Sequence, residues 1–371
     1  MTVRVLVVDD SAFFRQRITQ ILSQNPNINV VGVARDGLDA IEKNNSLKPD
    51  VITMDVEMPK LNGIDAVRQI MRERPAQVLM VSSLTHEGAQ VTLQAMDAGA
   101  VDYLTKDMRA WMDKSQSLSD DLTNRIVALG RSKYFVKSNF LEEKKTAVST
   151  RSASTTHVFR LDEKSHAVSA SPSTTRLSRN PVIPMGCKIV VIGSSTGGPA
   201  ALQQILTKLP ASFPYPILLV QHMPNTFTSV FAERLNQQCE IEVKHAQSGD
   251  KLKAGRALLA PGGLQMILDG QGTVQILPGE ERLTYKPSLD VTFASTAKVF
   301  GAKSLAIVLT GMGADGRDGA KLLKAAGATI WAQSESTCTI YGMPQAVAKA
   351  GVVDSVVDLK DFSKALTKNK Y

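Results

Sequence analysis

Several residues capable of chemistry stand where short apolar runs end. Asp9 and Asp10 follow Val3–Val8, Asp55 follows Val51–Met54, Ser82 closes Val78–Ser82, and Lys106 comes just after Ala100–Leu104. Carboxylates brought together repel one another, and a divalent cation removes that penalty. Hard oxygen ligands with open positions suit Mg²⁺, which keeps waters or phosphate oxygens in its shell. A carboxylate beside such an ion can attack a phosphoryl group, with the Lys106 ammonium and the Ser82 hydroxyl gripping the phosphoryl oxygens. Asp10 alone would read as a helix N-cap; the ordered set of five positions points to a site.

A second constellation opens at Gly193-Ser-Ser195-Thr-Gly-Gly198, directly after the run Ile189–Ile192 and directly before Pro199. A hydroxyl between a strand end and a helix start is placed to attack, and backbone N–H groups with the helix dipole favour a developing oxyanion. Glycine usage of this kind also occurs in phosphate-binding loops, although the lysine of a P-loop is absent. His222 follows Leu218–Gln221, and Asp315 lies in Thr310-Gly-Met312-Gly-Ala-Asp315-Gly after Ser304–Leu309. An imidazole can take the serine proton while a carboxylate fixes its tautomer, and the glycines flanking Met312 would let its backbone N–H approach a substrate oxygen. His245 is a rival base, in Glu242-Val-Lys-His245-Ala with no glycine loop beside it.

The elements that must carry these residues read as two α/β units. Five apolar runs alternate with helical spacing over residues 1–130, which predicts a five-stranded doubly wound parallel sheet whose ligands gather at the carboxyl ends of its strands. The βα pattern restarts at Cys187 and predicts a second α/β unit over 185–371 with a mostly parallel sheet, more irregular between 241 and 287. Residues 131–184 lack apolar periodicity and contain 16 Ser or Thr, so they read as a linker. Ten Lys or Arg stand there against four Asp or Glu, which accounts for most of the formal charge of +8. A basic balance located in a connector does not argue for nucleic acid, and the long α/β unit with glycine loops does not resemble a compact helix-turn-helix output domain. Cys187, Cys239 and Cys338 lie far apart, without the spacing of a disulfide framework or a zinc site. No signal peptide or apolar span is visible, and a cytoplasmic protein is expected.

Residues 1–130 resemble the response-regulator receiver family, through Val7-Val-Asp9-Asp10-Ser11, Asp55-Val-Glu-Met-Pro-Lys-Leu-Asn-Gly63, Val81-Ser82-Ser83 and Tyr103-Leu-Thr-Lys106. That resemblance implies Asp55 as acceptor of phosphate from a histidine kinase. It also implies Mg²⁺ held by Asp10, Asp55 and the Glu57 carbonyl with help from Asp9, and a switch pair of Ser82 and Tyr103. Asp107 departs from the proline usual after the lysine. Residues 187–360 resemble the chemotaxis-type protein-glutamate methylesterases, through Ile192-Gly-Ser-Ser195-Thr-Gly-Gly198, Gln221-His222-Met-Pro224, Leu259-Ala-Pro-Gly262, Pro287-Ser-Leu-Asp290-Val, Leu309-Thr-Gly-Met-Gly-Ala-Asp315-Gly and Tyr341-Gly-Met-Pro344. Implied are Ser195 as nucleophile, His222 as base, Asp315 as its orienter, and Thr196 and the Met312 backbone at the oxyanion. The expected activity is demethylation of glutamate γ-methyl esters on chemoreceptor cytoplasmic domains, with glutamine deamidation in some members. Hydrolysis needs no cofactor, and the unphosphorylated receiver is expected to cover the Ser195 cleft. A monomer without membrane insertion is expected. A docking protein with a decayed site is the non-enzymatic alternative.

Overall fold

The computed structural model describes residues 2–113, 115–132, 181 and 183–368. All but five residues of the expected linker 131–184 therefore lie outside the described residues.

The first unit is a five-stranded parallel sheet with strand order β2-β1-β3-β4-β5. Its strands are β1 (Val3–Val8), β2 (Ile28–Ala34), β3 (Val51–Asp55), β4 (Gln77–Ser82) and β5 (Asp102–Thr105). Every residue of β3 and β4 is buried, because helices cover both faces; this is why the strands read as unbroken apolar runs. The covering helices are α1 (Ala12–Ser23), α2 (Gly37–Leu47), α3 (Gly63–Glu73), α4 (His86–Asp97), a short α5 (Met108–Met112) and α6 (Gln116–Arg131). Helix α5 is too short to show a period in sequence. Asp107, in place of the usual proline, caps it by accepting the Arg109 N–H at 3.0 Å, and buried Trp111 ties it back by donating to the Thr105 carbonyl.

The second unit is a seven-stranded, wholly parallel sheet with order β14-β13-β12-β6-β7-β9-β8. The strands are β6 (Ile189–Ser194), β7 (Ile217–Gln221), β8 (Glu242–His245), β9 (Arg256–Leu259), β12 (Ser304–Val308), β13 (Thr329–Gln333) and β14 (Ser355–Val357). The irregular middle contains an antiparallel ribbon, β10 (Leu264–Leu268) with β11 (Val274–Pro278). Helices α7 (Gly198–Leu206), α8 (Asn225–Gln238), α9 (Leu289–Val299), α10 (Arg317–Ala325), α11 (Met343–Lys349) and α12 (Phe362–Thr367) complete it. Helix α8 starts at Asn225, and the Thr228 hydroxyl in its first turn is engaged by the Asn225 carbonyl and the His245 ring.

Candidate functional site

Strand order reverses at β6: the chain leaves it toward β7 on one side and returns to β12 on the other. A crevice opens outside the carboxyl ends of strands at such a reversal. Ser195 follows β6, His222 follows β7 and the Thr310–Asp315 loop follows β12, so three segments distant in sequence meet there. The Ser195 N–H donates to the Thr310 carbonyl at 3.0 Å, and the His222 N–H donates to the Ser194 carbonyl at 3.2 Å. Gln221 Nε2 donates to the Ser195 carbonyl at 3.0 Å and its Oε1 accepts from Ser194 Oγ at 2.6 Å. Gly198 makes this approach possible, since a Cβ there would stand 2.1 Å from Gln221 Oε1, and Gly197 starts α7 with a left-handed φ of 76°.

His222 Nε2 lies 2.8 Å from Asp315 Oδ2, and the two side chains are 11% and 2% exposed. Asp315 Oδ1 also accepts from Ser288 Oγ (2.8 Å) and the Asp290 N–H (3.0 Å), and Oδ2 from the Leu289 N–H (2.7 Å). The carboxylate thus caps the electropositive start of α9. Burial pushes its pKa up, but the His222 hydrogen bond and charge and the two N–H groups outweigh burial and hold it below the usual range. Its neighbour Asp290 is pushed up to about 6, first by burial and then by the charges of Asp315 and Asp318, against the Gly319 N–H it accepts. The Nδ1 of His222 is buried with no partner among the described residues. With Nε2–H directed at Asp315, Nδ1 carries the lone pair that can take a hydroxyl proton.

The rival His245 is not brought to this crevice. It ends the edge strand β8, bonds Thr228 Oγ1 at 3.0 Å and has its pKa lowered by burial. Gln221, Tyr285 and Ser288 were not singled out as functional in sequence. The Tyr285 ring is stacked on the His222 ring at 4.3 Å and 10°. The segment around Pro287-Ser-Leu-Asp290 carried the family resemblance without a role attached, and that was the available signal.

In the first unit, one ligand atom each of Asp9, Asp10 and Asp55 lie within 4.8 Å of one another. Lys106 Nζ is 2.8 Å from both Asp9 Oδ2 and Asp55 Oδ2 and lies 4.6 Å from the centre of the Phe14 ring. An all-carboxylate oxygen set with exposed Asp10 on its rim fits a hard cation such as Mg²⁺. The Glu57 carboxylate is not among the three that converge, and its carbonyl is the ligand that the resemblance implies. Ser82 is buried and donates to the Gly88 carbonyl at 3.3 Å.

Burial, then the charge of Asp9, raises the Asp55 pKa to about 6 against the pull of Lys106. A carboxyl raised on folding is stabilised only while protonated, so its ionisation weakens the fold as pH climbs from about 4 to above 6. Without divalent cation, Asp55→Asn is expected to stabilise the first unit by about 2–3 kcal/mol at pH 8. The gain should vanish near pH 4; urea unfolding at both pH values checks this, and a gain independent of pH would contradict it.

The first unit covers the serine crevice. Tyr103 lies flat on Phe227 of α8, with ring centres 4.2 Å apart and planes 2° apart. Asp97 at the end of α4 pairs with Arg234 of α8. The Thr196 hydroxyl donates to Asp102 Oδ2 at 2.6 Å, and Arg125 of α6 donates to the same oxygen at 2.6 Å. The Met312 side chain and Ile340 join the apolar cluster that otherwise belongs to the first unit, including Leu104, Trp111 and Leu122. Both residues expected at the oxyanion, Thr196 and Met312, are therefore in the covered zone.

The family described as CheB methylesterase matches residues 190–366, and the response regulator receiver domain matches residues 5–111. The chain is 51% identical to protein-glutamate methylesterase/protein-glutamine glutaminase 2 of Pseudomonas savastanoi pv. phaseolicola, over 99% of both chains. It is 52% identical to the protein of that name from the group 1 operon of Pseudomonas putida, again over 99% of both chains. To protein-glutamate methylesterase/protein-glutamine glutaminase 1 of Pseudomonas aeruginosa it is 51% identical, with the same coverage of both. With a receiver sheet in front, a Ser-His-Asp crevice behind, and this identity across nearly its whole length, the chain belongs to the protein-glutamate methylesterase/protein-glutamine glutaminase family.

Proposed function

We propose that this chain is a phosphorylation-activated serine hydrolase that removes methyl groups from glutamate γ-methyl esters on chemoreceptor cytoplasmic domains. The observation that carries the reading is the His222–Asp315 couple at the strand-order reversal beside Ser195. Ser195 Oγ attacks the ester carbonyl and gives its proton to His222 Nδ1. The oxyanion is met by the Met312 backbone N–H and by Thr196. Collapse returns the proton to the leaving oxygen and expels methanol, and water then hydrolyses the acyl-serine by the same base. Glutamine enters the same sequence with ammonia leaving, which makes the chain a glutaminase as well.

Residues 1–130 form the receiver, 131–184 the connector and 185–371 the catalytic unit. A histidine kinase supplies the phosphoryl group to Asp55. Asp9, Asp10, Asp55 and the Glu57 carbonyl would hold Mg²⁺, which when bound offsets the charge of the carboxylates and the phosphoryl group. Lys106 and Ser82 turn to the phosphoryl oxygens, and Tyr103 beside Asp102 passes the change to the Phe227 and Thr196 contacts. Phosphorylation shifts the equilibrium only by its differential effect on the covered and open states, and these contacts are where the difference acts. No helix among the described residues is long and apolar enough to cross a membrane, and the protein works as a cytoplasmic monomer.

Methanol release from methylated receptor cytoplasmic fragments, with and without a small acyl-phosphate donor, tests this. Release that rises with the donor is expected; no release from folded, phosphorylated protein would overturn the reading. In the same assay Asp102→Asn is expected to raise unphosphorylated activity about fivefold, since a neutral acceptor holds Thr196 about 1 kcal/mol less well than a charged one. Unchanged basal activity would mean that this bond contributes nothing to closure.

A further inference from the structure

The ribbon β10–β11 and the segment leading into α9 have no part in the proton transfers above, yet the strongest constraints on the His–Asp couple come from them. His222 is held at Nε2 by one carboxylate oxygen, which leaves the ring free to rotate about that bond unless something fixes its plane. Tyr285 does so, lying parallel to the imidazole at 4.3 Å. The far edge of Tyr285 is closed by Gly313, where a Cβ would stand 2.5 Å from the phenolic oxygen, and Gly313 has a left-handed φ of 87°. Ser288 fixes the partner of the couple through its 2.8 Å bond to Asp315 Oδ1.

One buried side chain splints both residues. Gln265 of β10 donates through Nε2 to the Tyr285 carbonyl at 2.8 Å and accepts the Ser288 N–H through Oε1 at 2.8 Å. The ribbon is in turn laced to α9, since Thr292 Oγ1 donates to the Met266 carbonyl at 2.7 Å and the Leu268 N–H donates to Ser295 Oγ at 3.2 Å. A planar amide with both ends occupied leaves the 285–288 segment little freedom, and each bond in this chain is buried or half-buried, where a lost partner is penalised most.

Resting on the esterase reading, we infer that Tyr285 and Ser288, splinted by Gln265, are positioning residues of the triad that hold His222 with Nε2–H on Asp315 and Nδ1 free as the base. Neither takes or gives a proton in the steps above: Tyr285 packs on the face of the imidazole and Ser288 bonds Asp315 Oδ1. Tyr285 sets the plane of the imidazole, Ser288 the direction of the carboxylate, and Gln265 keeps the two in register.

The test uses the full-length protein with phosphodonor present, as wild type, Tyr285→Leu, Tyr285→Phe and Ser288→Ala. Three quantities are read: kcat and KM on methylated receptor fragments, the rate at which a fluorophosphonate labels Ser195, and the His222 tautomer by ¹⁵N NMR. Wild type is expected to show one tautomer, with the proton on Nε2. Tyr285→Leu and Ser288→Ala should each lower kcat and labelling about tenfold with little change in KM, the loss of one transition-state-ordering contact. Both should show mixed tautomers, and Tyr285→Phe should restore the wild-type values because the ring alone is required. Unchanged kcat and tautomer in Tyr285→Leu and Ser288→Ala would overturn the proposal, as would a wild-type proton on Nδ1. If Tyr285→Leu does not fold, Ser288→Ala, which removes a single oxygen, decides. Wild type that is labelled at Ser195 yet releases no methanol would sink the esterase reading, while the tautomer result still judges the positioning one.

Discussion

Ser195→Ala is expected to lower methanol release about a millionfold in kcat, the loss seen when a triad nucleophile is removed. Activity over water, about 10³- to 10⁴-fold, should persist from the oxyanion donors and substrate binding. The substitution leaves the fold nearly untouched, because the bonds that hold this residue are to its backbone: its N–H to Thr310, and its carbonyl from Gly198 and Gln221. The adjacent serine supplies the contrast. Ser194 is fully buried and its hydroxyl donates to Gln221 Oε1 at 2.6 Å. Ser194→Ala should therefore reduce stability by about 1–3 kcal/mol through an unpaired buried acceptor, and retain most of the esterase chemistry. Headspace methanol and urea unfolding on both variants separate the roles. Loss of turnover in Ser194→Ala with retention in Ser195→Ala would assign the nucleophile to the wrong serine.

Asp315→Asn is expected to lower kcat about 10⁴-fold, by misplacing a proton and not by opening a hole. Four donors converge on this carboxylate: Ser288 Oγ, the Leu289 and Asp290 N–H groups, and His222 Nε2–H. An asparagine offers one acceptor oxygen and an NH₂ group, so in either orientation two hydrogens face donors. With the NH₂ on the side that faces His222 and Leu289, the relief is for His222 to accept at Nε2 and move its proton to Nδ1, where it can no longer receive one from Ser195. The variant should also be less stable at neutral pH, since the charge at the start of α9 is gone. The sign of its pH dependence follows from the lowered pKa of Asp315. The wild-type advantage is complete above the unfolded carboxyl pKa, near 4, and is lost as pH falls through the lower folded value. A ¹⁵N spectrum of the variant showing Nε2 still protonated, with activity lost, would refute the tautomer account.

These expectations rest on different layers of the molecule. The order of runs and loops was legible in the sequence, because parallel strands buried on both faces are written as unbroken apolar runs, with chemically useful residues directly after them. Asp9, Asp55 and Lys106 in one unit, and Ser195, His222 and Asp315 in the other, were placed in this way. Helix α5, the β10–β11 ribbon and β14 escaped it: α5 and β14 span only five and three residues, and the ribbon is partly exposed, so none is written as an unbroken apolar run.

Partnership was the other thing local pattern did not contain. His222 follows β7 and His245 ends β8, and only the strand order, with β7 beside β6 and β8 at the edge, puts one at the serine and the other against Thr228. Thr196 and Asp102 are 94 residues apart and meet only because the receiver lies across the crevice. Gln265, Tyr285 and Ser288 act through side-chain bonds set by how a ribbon, a loop and a helix start converge. Sequence by itself determined which chemical groups this protein has and at which strand ends they stand. Tertiary structure alone decided which of them touch, because hydrogen bonds between loops depend on the order and packing of strands, and local periodicity carries no record of either.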